Sequence, residues 1–163
     1  MGRGSSSLPA LCREHRVIEP LRRSLVVACS PEHAFKTWTA SASAWWPPEH
    51  TVTHERDVQV IFEARAGGRI YERTAAGEEV EWGRITAWEP PRRLAYRWHI
   101  ATDPADATDV VIVFEPESES STRVEIEHAG WERLGSRGST WRDVNQGGWD
   151  GVLPAYAAAA NSH

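Results

Sequence analysis

The chain has 163 residues and a formal net charge of −5 at pH 7, a length that suits one domain with a sizeable core. The acidic balance argues against nucleic acid or an anionic membrane surface as the main partner. No apolar run is long enough for membrane insertion, the N-terminus lacks the apolar segment of a secretory signal, and two cysteines do not suggest a disulfide framework. We therefore expect a cytoplasmic protein.

The first part of the chain is predicted to contain an arm, a strand and a helix. Residues 1–18 are rich in Gly, Ser and Arg without hydrophobic periodicity, which predicts a flexible arm ahead of a single domain at residues 19–161. Within that domain, Arg22–Cys29 is an apolar run typical of a strand. Ser30 and Pro31 then supply an N-cap and a first helical residue, which predicts that a helix begins here.

After this helix, the pattern is mostly that of strands. A second short helix is expected at Ser41–Trp46, ended by two prolines. Alternation with period two and turn residues predict six further strands. They cover residues 58–64, 69–74, 80–88, 94–100, 109–115 and 122–128. Helical spacing returns beyond Gly130, with a kink or irregular start expected because Gly147, Gly148, Gly151 and Pro154 are poor residues for a helix interior. The order β-αα-β6-α indicates an α+β domain with a mostly antiparallel sheet.

Six short motifs occur in an order that identifies a family. They are SPEHAFKTW at residues 30–38, Gly67-Gly68-Arg69, Trp82-Gly83, WEPP at residues 88–91 leading to Leu94, EHAGWE at residues 127–132, and Gly148-Trp149. With them, the chain resembles the Aha1-type branch (activator of Hsp90 ATPase homologues) of the START-like, Bet v 1-like (SRPBCC) superfamily over about residues 20–160. The resemblance implies a helix-grip fold, in which a curved, mostly antiparallel seven-stranded sheet surrounds a long C-terminal helix, with two short helices after the first strand.

The resemblance also implies an apolar cavity between the sheet and the C-terminal helix. Because the superfamily includes lipid carriers, cyclases, self-sacrificing resistance proteins and co-chaperone domains, the fold does not fix the function. The leading hypothesis is that the cavity binds a small hydrophobic molecule, aromatic or lipid-like, without a metal or an organic cofactor. One alternative is a cofactor-free cyclase, dehydratase or hydrolase. Another is a co-chaperone-like module for an Hsp90-type chaperone. Either a monomer or a homodimer is expected.

The candidate ligand-binding residues are mainly aromatic. Alternation places Val60, Phe62, Tyr96 and Trp98 on inward strand faces, although core packing is the default for each of them. The other candidates are Trp38, Trp45, Trp46, His50, His128, Trp131, Trp141, Asn145 and Trp149. Among these, Asn145 is expected to offer a ligand a hydrogen bond, and the tryptophans at 38, 45 and 46 fit a stacking wall and a filled core equally well.

His128 is the candidate catalytic residue. It continues the alternation of Val124 and Ile126, which places it on the inward face of the last strand. A histidine inside a cavity can act as an acid, a base or an orienting donor. A buried, neutral histidine bonded to the backbone or to Trp131 is the more common arrangement, and it is favoured here.

The loop after the short helices carries Glu49, His50 and His54. Two histidines at i and i+4 with a nearby carboxylate hold a metal ion when they lie on a helix. Pro47 and Pro48 favour an extended loop instead, so a surface loop without a metal is expected. The alternative places this loop at the lip of a pocket mouth.

Charged residues are interleaved in two neighbouring strands, at Glu72, Arg73, Glu79, Glu81 and Arg84. A buried pair among them would anchor a polar group of a ligand. Exposed cross-strand pairs are far more common, so surface positions are expected for all five. Neither face of the strand at residues 80–88 is consistently apolar, and the sequence leaves its inward side unassigned.

Overall fold

The computed structural model describes residues 18–162, so the predicted arm lies outside the described residues except for Ile18. Within this range the chain forms seven strands and two α-helices. The strands are β1 (Leu21–Val27), β2 (Gln59–Phe62), β3 (Arg69–Arg73), β4 (Glu79–Glu89), β5 (Arg93–Trp98), β6 (Thr108–Ser118) and β7 (Ser121–Ala129). The α-helices are α1 (Pro31–Trp38) and α2 (Gly138–Asn161), and short 3₁₀ helices cover Ala42–Ala44, Pro48–His50, Pro104–Asp106 and Trp131–Arg137.

All seven strands belong to one antiparallel sheet in the order β1-β7-β6-β5-β4-β3-β2. Neighbours in sequence therefore pair with each other, except that β1 crosses over to pair with β7. The sheet curls around α2 and buries one face against it. This architecture confirms the predicted α+β helix-grip fold with its seven strands and long C-terminal helix.

The first helix forms where its capping residues predict it. The Ser30 hydroxyl accepts a hydrogen bond from the His33 backbone N–H over 3.2 Å, and Pro31 occupies the first turn. The inward side of α1 buries Phe35 and Trp38. The second helix predicted at Ser41–Trp46 is shorter, a 3₁₀ helix over Ala42–Ala44.

The long helix α2 is continuous where a kink was expected. Residues 147–151, with their three glycines, lie inside the helix, and the break instead falls ahead of it at Gly135, whose φ is 59°. Near the C-terminus, the Tyr156 hydroxyl donates to the Ala34 carbonyl over 2.8 Å. The Ala28 backbone N–H donates to Asn161 Oδ1 over 2.7 Å. These bonds hold the end of α2 against α1 and β1. No helix within residues 18–162 is both long and apolar enough to cross a bilayer.

Strand β4 turns its inward side chains at a spacing of three residues rather than two. Trp82 and Ile85 are fully buried, and Trp88 packs edge-on against Phe35 at a centroid distance of 5.1 Å. The cause is a register shift in the β3–β4 pairing and another in the β4–β5 pairing. Each irregularity adds a residue to one strand and moves the following side chains to the other face. The inward residues of β4 therefore do not follow period-two alternation, which is why the sequence pattern could not identify the inward face of this strand.

Candidate functional site

Six tryptophans fill most of the space between the sheet and α2. We call Trp38, Trp45, Trp46, Trp82, Trp98 and Trp149 the tryptophan cluster. All six are buried, and each touches at least one other with ring centroids between 5.0 and 6.3 Å apart. The rings are tilted or edge-on, which is the favoured packing of aromatic side chains. Most of the predicted cavity is thus occupied by the protein itself.

One end of the interior stays open, in what we call the mouth cavity. It has a volume of about 70 Å³ and is lined by Trp46, His50, Trp98, Ile100, Asn145, Gly148, Trp149 and Val152. A smaller indentation of about 20 Å³ adjoins it, sharing Trp98, Ile100 and Asn145 and extending to Thr108, Trp131 and Trp141. Trp98 therefore forms a wall of both spaces.

Helix α2 contributes both a gap and a close contact to the mouth cavity. A Cβ added at Gly148 would meet nothing within 4 Å, so the absence of a side chain there keeps space open. At Gly151, a Cβ would collide with the His50 ring. A side chain at this position would therefore force the His50 ring to shift. His50 accordingly lies at the lip of the opening, packed against the helix.

Asn145 is the polar side chain on the helix side of the mouth cavity. Its Nδ2 donates to the Trp141 carbonyl over 2.9 Å. Its Oδ1 accepts no hydrogen bond from any residue in the range 18–162. This oxygen can therefore accept a hydrogen bond from a ligand. The predicted role of Asn145 as a hydrogen bonder for a ligand is compatible with this placement.

His128 lies behind the mouth cavity and uses both ring nitrogens. The Trp149 indole N–H donates to Nδ1 over 3.0 Å, so Nδ1 carries the lone pair. Nε2 then holds the proton and faces the Thr108 hydroxyl at 2.6 Å. The ring is fully buried and lies 4.2 Å from the Trp131 ring. Burial lowers the pKa of His128 to about 3. The favoured buried, neutral histidine matches this geometry, but its ring partners are Thr108 and Trp149, whereas the Trp131 indole donates to the His128 carbonyl.

Glu72 was expected at the surface, and that prediction is wrong. Its carboxylate is fully buried and accepts hydrogen bonds from the backbone N–H groups of Val52 and Thr53, the Thr53 hydroxyl and the Trp82 indole, at 2.6 to 3.1 Å. Burial opposes ionisation, but these donors outweigh it and hold the pKa of Glu72 below its usual value. Glu72 thereby ties the segment after His50 to β3 and Trp82.

The other four charged residues of this group lie on or near the surface. Arg73 pairs with Glu79 at 3.0 Å, and Arg84 pairs with Glu81 at 3.0 Å. The two arginines keep 40% and 56% of their side-chain area exposed. Exposed pairs of this kind contribute little to stability, so the surface prediction holds for them. Of the five charged residues, Glu72 is the one that the surface prediction placed wrongly.

Two buried polar groups in the core are poorly satisfied. The Tyr96 hydroxyl and the Trp38 Nε1 both lack a hydrogen bond of good geometry, and both side chains are almost completely buried. Burial raises the pKa of Tyr96, with the nearby Trp38 N–H acting in the opposite direction. The Trp38 indole N–H can only donate a hydrogen bond, so it cannot accept one from the Tyr96 hydroxyl.

The structure separates the predicted site residues into three groups. Trp46, His50, Trp98, Asn145 and Trp149 meet at the mouth cavity, and Trp131 and Trp141 line the adjoining indentation. The rest are packed in the interior: Trp38, Trp45, Val60, Phe62, Tyr96 and His128. Sequence reasoning missed Ile100, Gly148 and Val152 as lining residues. For Gly148, a glycine within a helical pattern was the available signal, although Gly147 carries the same signal and does not line the mouth cavity.

The loop histidines occupy different surroundings. His50 lines the mouth cavity, while His54 is exposed and has a φ of 59°. Across residues 18–162, no three ligating side chains come together in a geometry that would hold a metal ion.

Comparisons with known proteins agree with this fold. The family model of activator of Hsp90 ATPase homolog 1-like proteins matches residues 28–158. Among solved structures, the anthrahydroquino-γ-pyrone synthase Txn09 in complex with SUM is 33% identical, with a TM-score of 0.62 over 88% of this chain and 97% of that chain. The self-sacrificing resistance protein CalC from Micromonospora echinospora is 27% identical, with a TM-score of 0.63 over 88% of this chain and 92% of that chain.

A more distant likeness concerns the fold alone. An Hsp90 activator from Plasmodium falciparum is 15% identical, with a TM-score of 0.50 over 69% of this chain and 73% of that chain. No curated protein matches this sequence.

Proposed function

Because the chain belongs to the activator of Hsp90 ATPase homolog 1-like family, we propose that it binds a small, flat, hydrophobic molecule at the mouth cavity. The observation that carries the proposal is the composition of that opening. Three indole rings, those of Trp46, Trp98 and Trp149, surround it, and Asn145 and His50 add a few polar atoms. Concave, mostly apolar sites with a small number of polar groups are the usual form of a small-molecule site.

The size of the cavity adds a condition to the proposal. Ligand pockets usually measure roughly 300–1,000 Å³, several times the 70 Å³ of the mouth cavity. A ligand therefore enters by displacing a side chain. Trp98 is the wall best suited to move, because within residues 18–162 its indole N–H donates to no other group, whereas Trp46 donates to the His50 carbonyl and Trp149 to His128.

The comparisons support a fused aromatic ligand. The name of the 33% identical relative gives an anthrahydroquinone-type product, which is a flat, polycyclic molecule. Tryptophan rings stack well on such molecules. A lipid-like ligand is the second form of the same proposal, and it would use the same apolar walls without a stacking preference.

A matched pair of glycine variants tests the proposal. Gly147 and Gly148 are helical neighbours, and a side chain at either meets open space, but only Gly148 lines the mouth cavity. We expect the wild type to show a saturable rise in melting temperature with polycyclic aromatic compounds. Gly148→Leu should abolish that rise, and Gly147→Leu should preserve it. An equal response of both variants would place the ligand elsewhere. No stabilisation by either aromatic compounds or fatty acids would contradict the proposal.

A second candidate function is catalysis on the bound molecule, favoured by the 33% identity to a synthase. We expect His128 to take little part in it, because its basic nitrogen already accepts the Trp149 N–H. In this version the site acts by enclosing and orienting its substrate. Mass spectrometry of any ligand found by the melting assay tests this directly. His128→Gln should leave conversion intact, and its loss in a folded variant would restore His128 as a catalytic residue.

A chaperone partner and a cytoplasmic location stay predictions. The family name includes an Hsp90 activator, and the outer face of the sheet would be the contacting surface. Co-purification with an Hsp90-type chaperone in a salt-resistant complex would support this alternative. Retention of ligand binding in that complex would show that the two functions use different surfaces.

A further inference from the structure

We infer that the ligand carries a carbonyl-type oxygen that accepts a hydrogen bond from the Tyr96 hydroxyl, which lies beside the Trp38 indole N–H. The inference rests on the proposed function and specifies the ligand for that site. It identifies a chemical class, fused aromatic ketones or quinones, in preference to plain hydrocarbons and fatty acids.

The first support is that these two donors stand out from comparable groups. The indoles of Trp45, Trp46, Trp82, Trp131 and Trp149 each donate a hydrogen bond, and so does the Tyr156 hydroxyl. Tyr96 and Trp38 do not, although they are 1% and 0% exposed. Buried polar groups in native proteins are nearly always satisfied, and a group that is not requires an explanation. The Trp38 N–H faces the Tyr96 oxygen, so the group left in need of an acceptor is the Tyr96 hydroxyl proton.

The second support is their position, one layer behind the mouth cavity. The Tyr96 ring lies 5.3 Å from that of Trp98, and the Trp38 ring lies 6.0 Å from that of Trp149. Both of those outer rings line the cavity. Trp149 is held by its hydrogen bond to His128, while Trp98 is held by packing. Displacement of the Trp98 ring thus opens the cavity toward Tyr96, while Trp38 stays behind the fixed Trp149 ring.

The third support is the charge of the surroundings. Neither the mouth cavity nor the adjoining indentation includes a lysine or an arginine among its lining residues. A carboxylate would lose its hydration there without gaining a counter-ion. A neutral carbonyl oxygen carries no charge to desolvate and has a lone pair for the Tyr96 hydroxyl. The site therefore favours a ketone or quinone over a fatty acid.

Fluorenone and fluorene provide a matched pair of probes, because they share a flat ring system and differ by one carbonyl group. We expect equilibrium dialysis with the wild-type protein to show tighter binding of fluorenone. Tyr96→Phe should weaken fluorenone binding about tenfold, as expected for the loss of a buried hydrogen bond, and leave fluorene binding unchanged. Tyr156→Phe is the control, since it removes a buried hydroxyl that is already bonded to Ala34 and should change neither affinity.

The possible outcomes distinguish failure of the carbonyl inference from failure of the proposed binding function. Equal weakening of both probes by Tyr96→Phe would overturn the carbonyl inference and leave hydrophobic binding standing. Failure of both probes to bind the wild type would overturn the binding site as well. The melting temperature gives an independent check. Tyr96→Phe should melt no lower than the wild type, because the hydroxyl has no acceptor to lose. A decrease as large as that of Tyr156→Phe would show that the hydroxyl is already satisfied by water, and would overturn the inference.

Discussion

The two halves of α2 use their inward faces in opposite ways. The C-terminal half, from Val152 onward, packs Leu153, Tyr156 and Ala160 into the core and bonds to α1 and β1. The N-terminal half carries four glycines and leaves Trp141 and Asn145 only partly buried beside two open spaces. Both halves belong to one continuous helix.

This difference shows how a small domain divides stability and binding. The packed half fixes the position and direction of the helix. The other half can then leave space beside the tryptophan cluster without losing its own position, because a rigid element supports it. Sites built on such elements are held more precisely than sites on loops. Three sets of substitutions test whether the two halves of α2 are specialised in this way.

The largest effect should come from truncating an aromatic side chain in each half. Tyr156→Ala removes a fully buried ring and its hydrogen bond, and we expect a loss of about 3–5 kcal/mol. Trp141→Ala removes a larger but half-buried ring, and we expect about 1 kcal/mol. Chemical denaturation of both variants gives the comparison. Equal losses would mean that the N-terminal half contributes as much to the core as the C-terminal half.

An intermediate effect should appear in acid, through the Trp149–His128 bond that joins the open half of the helix to the sheet. Burial lowers the pKa of His128 to about 3, from 6.5 in the unfolded chain. Between these values the unfolded state binds a proton that the folded state does not. The free energy of unfolding therefore falls as the pH drops below 6.5, by up to about 1.4 kcal/mol per pH unit.

His128→Gln should remove this contribution. We expect urea denaturation between pH 6.5 and about 4.5 to show a shallower pH dependence for the variant, and the same dependence for both proteins above pH 7. Glu72 also loses stabilisation in acid, since its pKa is lowered in the folded state, but it is present in both proteins and cancels. Identical slopes would mean that His128 becomes protonated without unfolding, and the assigned hydrogen bonds would then be wrong.

The smallest effect concerns the glycines of the open half. Alanine is a better helix former than glycine by up to about 1 kcal/mol, and both Gly147 and Gly148 have room for a methyl group. Gly147→Ala and Gly148→Ala should each raise the free energy of unfolding by about 0.5–1 kcal/mol in thermal or chemical denaturation. If Gly148→Ala also weakens ligand binding, the wild-type glycine lowers the stability of the protein but keeps the mouth cavity open for the ligand. A destabilised Gly148→Ala would show that the space is absent in solution.

The sequence predicted the fold well because each element carries a local signal. Ser30 and Pro31 mark the start of α1, alternation marks the strands, and the order of the elements indicates an α+β domain with a mostly antiparallel sheet. The helix-grip fold was implied by the family resemblance. The signal failed in β4, where two register shifts give Trp82 and Ile85 a spacing that alternation does not anticipate. Glu72 failed for a related reason, because its four donors come from residues distant in sequence or from a neighbouring strand.

The candidate site was less predictable than the fold. Alternation and spacing identified side chains that face inward, including Trp98 and Trp149. They did not distinguish rings that fill the core, such as Trp38, from rings that also border an opening. That distinction depends on volumes left between distant segments, which arise only when α2 meets the loop at His50. Gly148 illustrates this point, because its lack of a side chain leaves space open in the mouth cavity.

The tryptophan cluster also has an optical consequence. Trp46 and Trp82 are only 5.0 Å apart, and Trp45 and Trp46 are 5.2 Å apart, with their ring planes inclined by 44° and 38°. Indole transitions at such separations and in such fixed, chiral orientations couple as excitons and absorb left and right circularly polarised light to different extents. The ultraviolet circular dichroism of this protein therefore contains a contribution from its interior. Displacement of a single ring changes that contribution while every helix and strand stays intact.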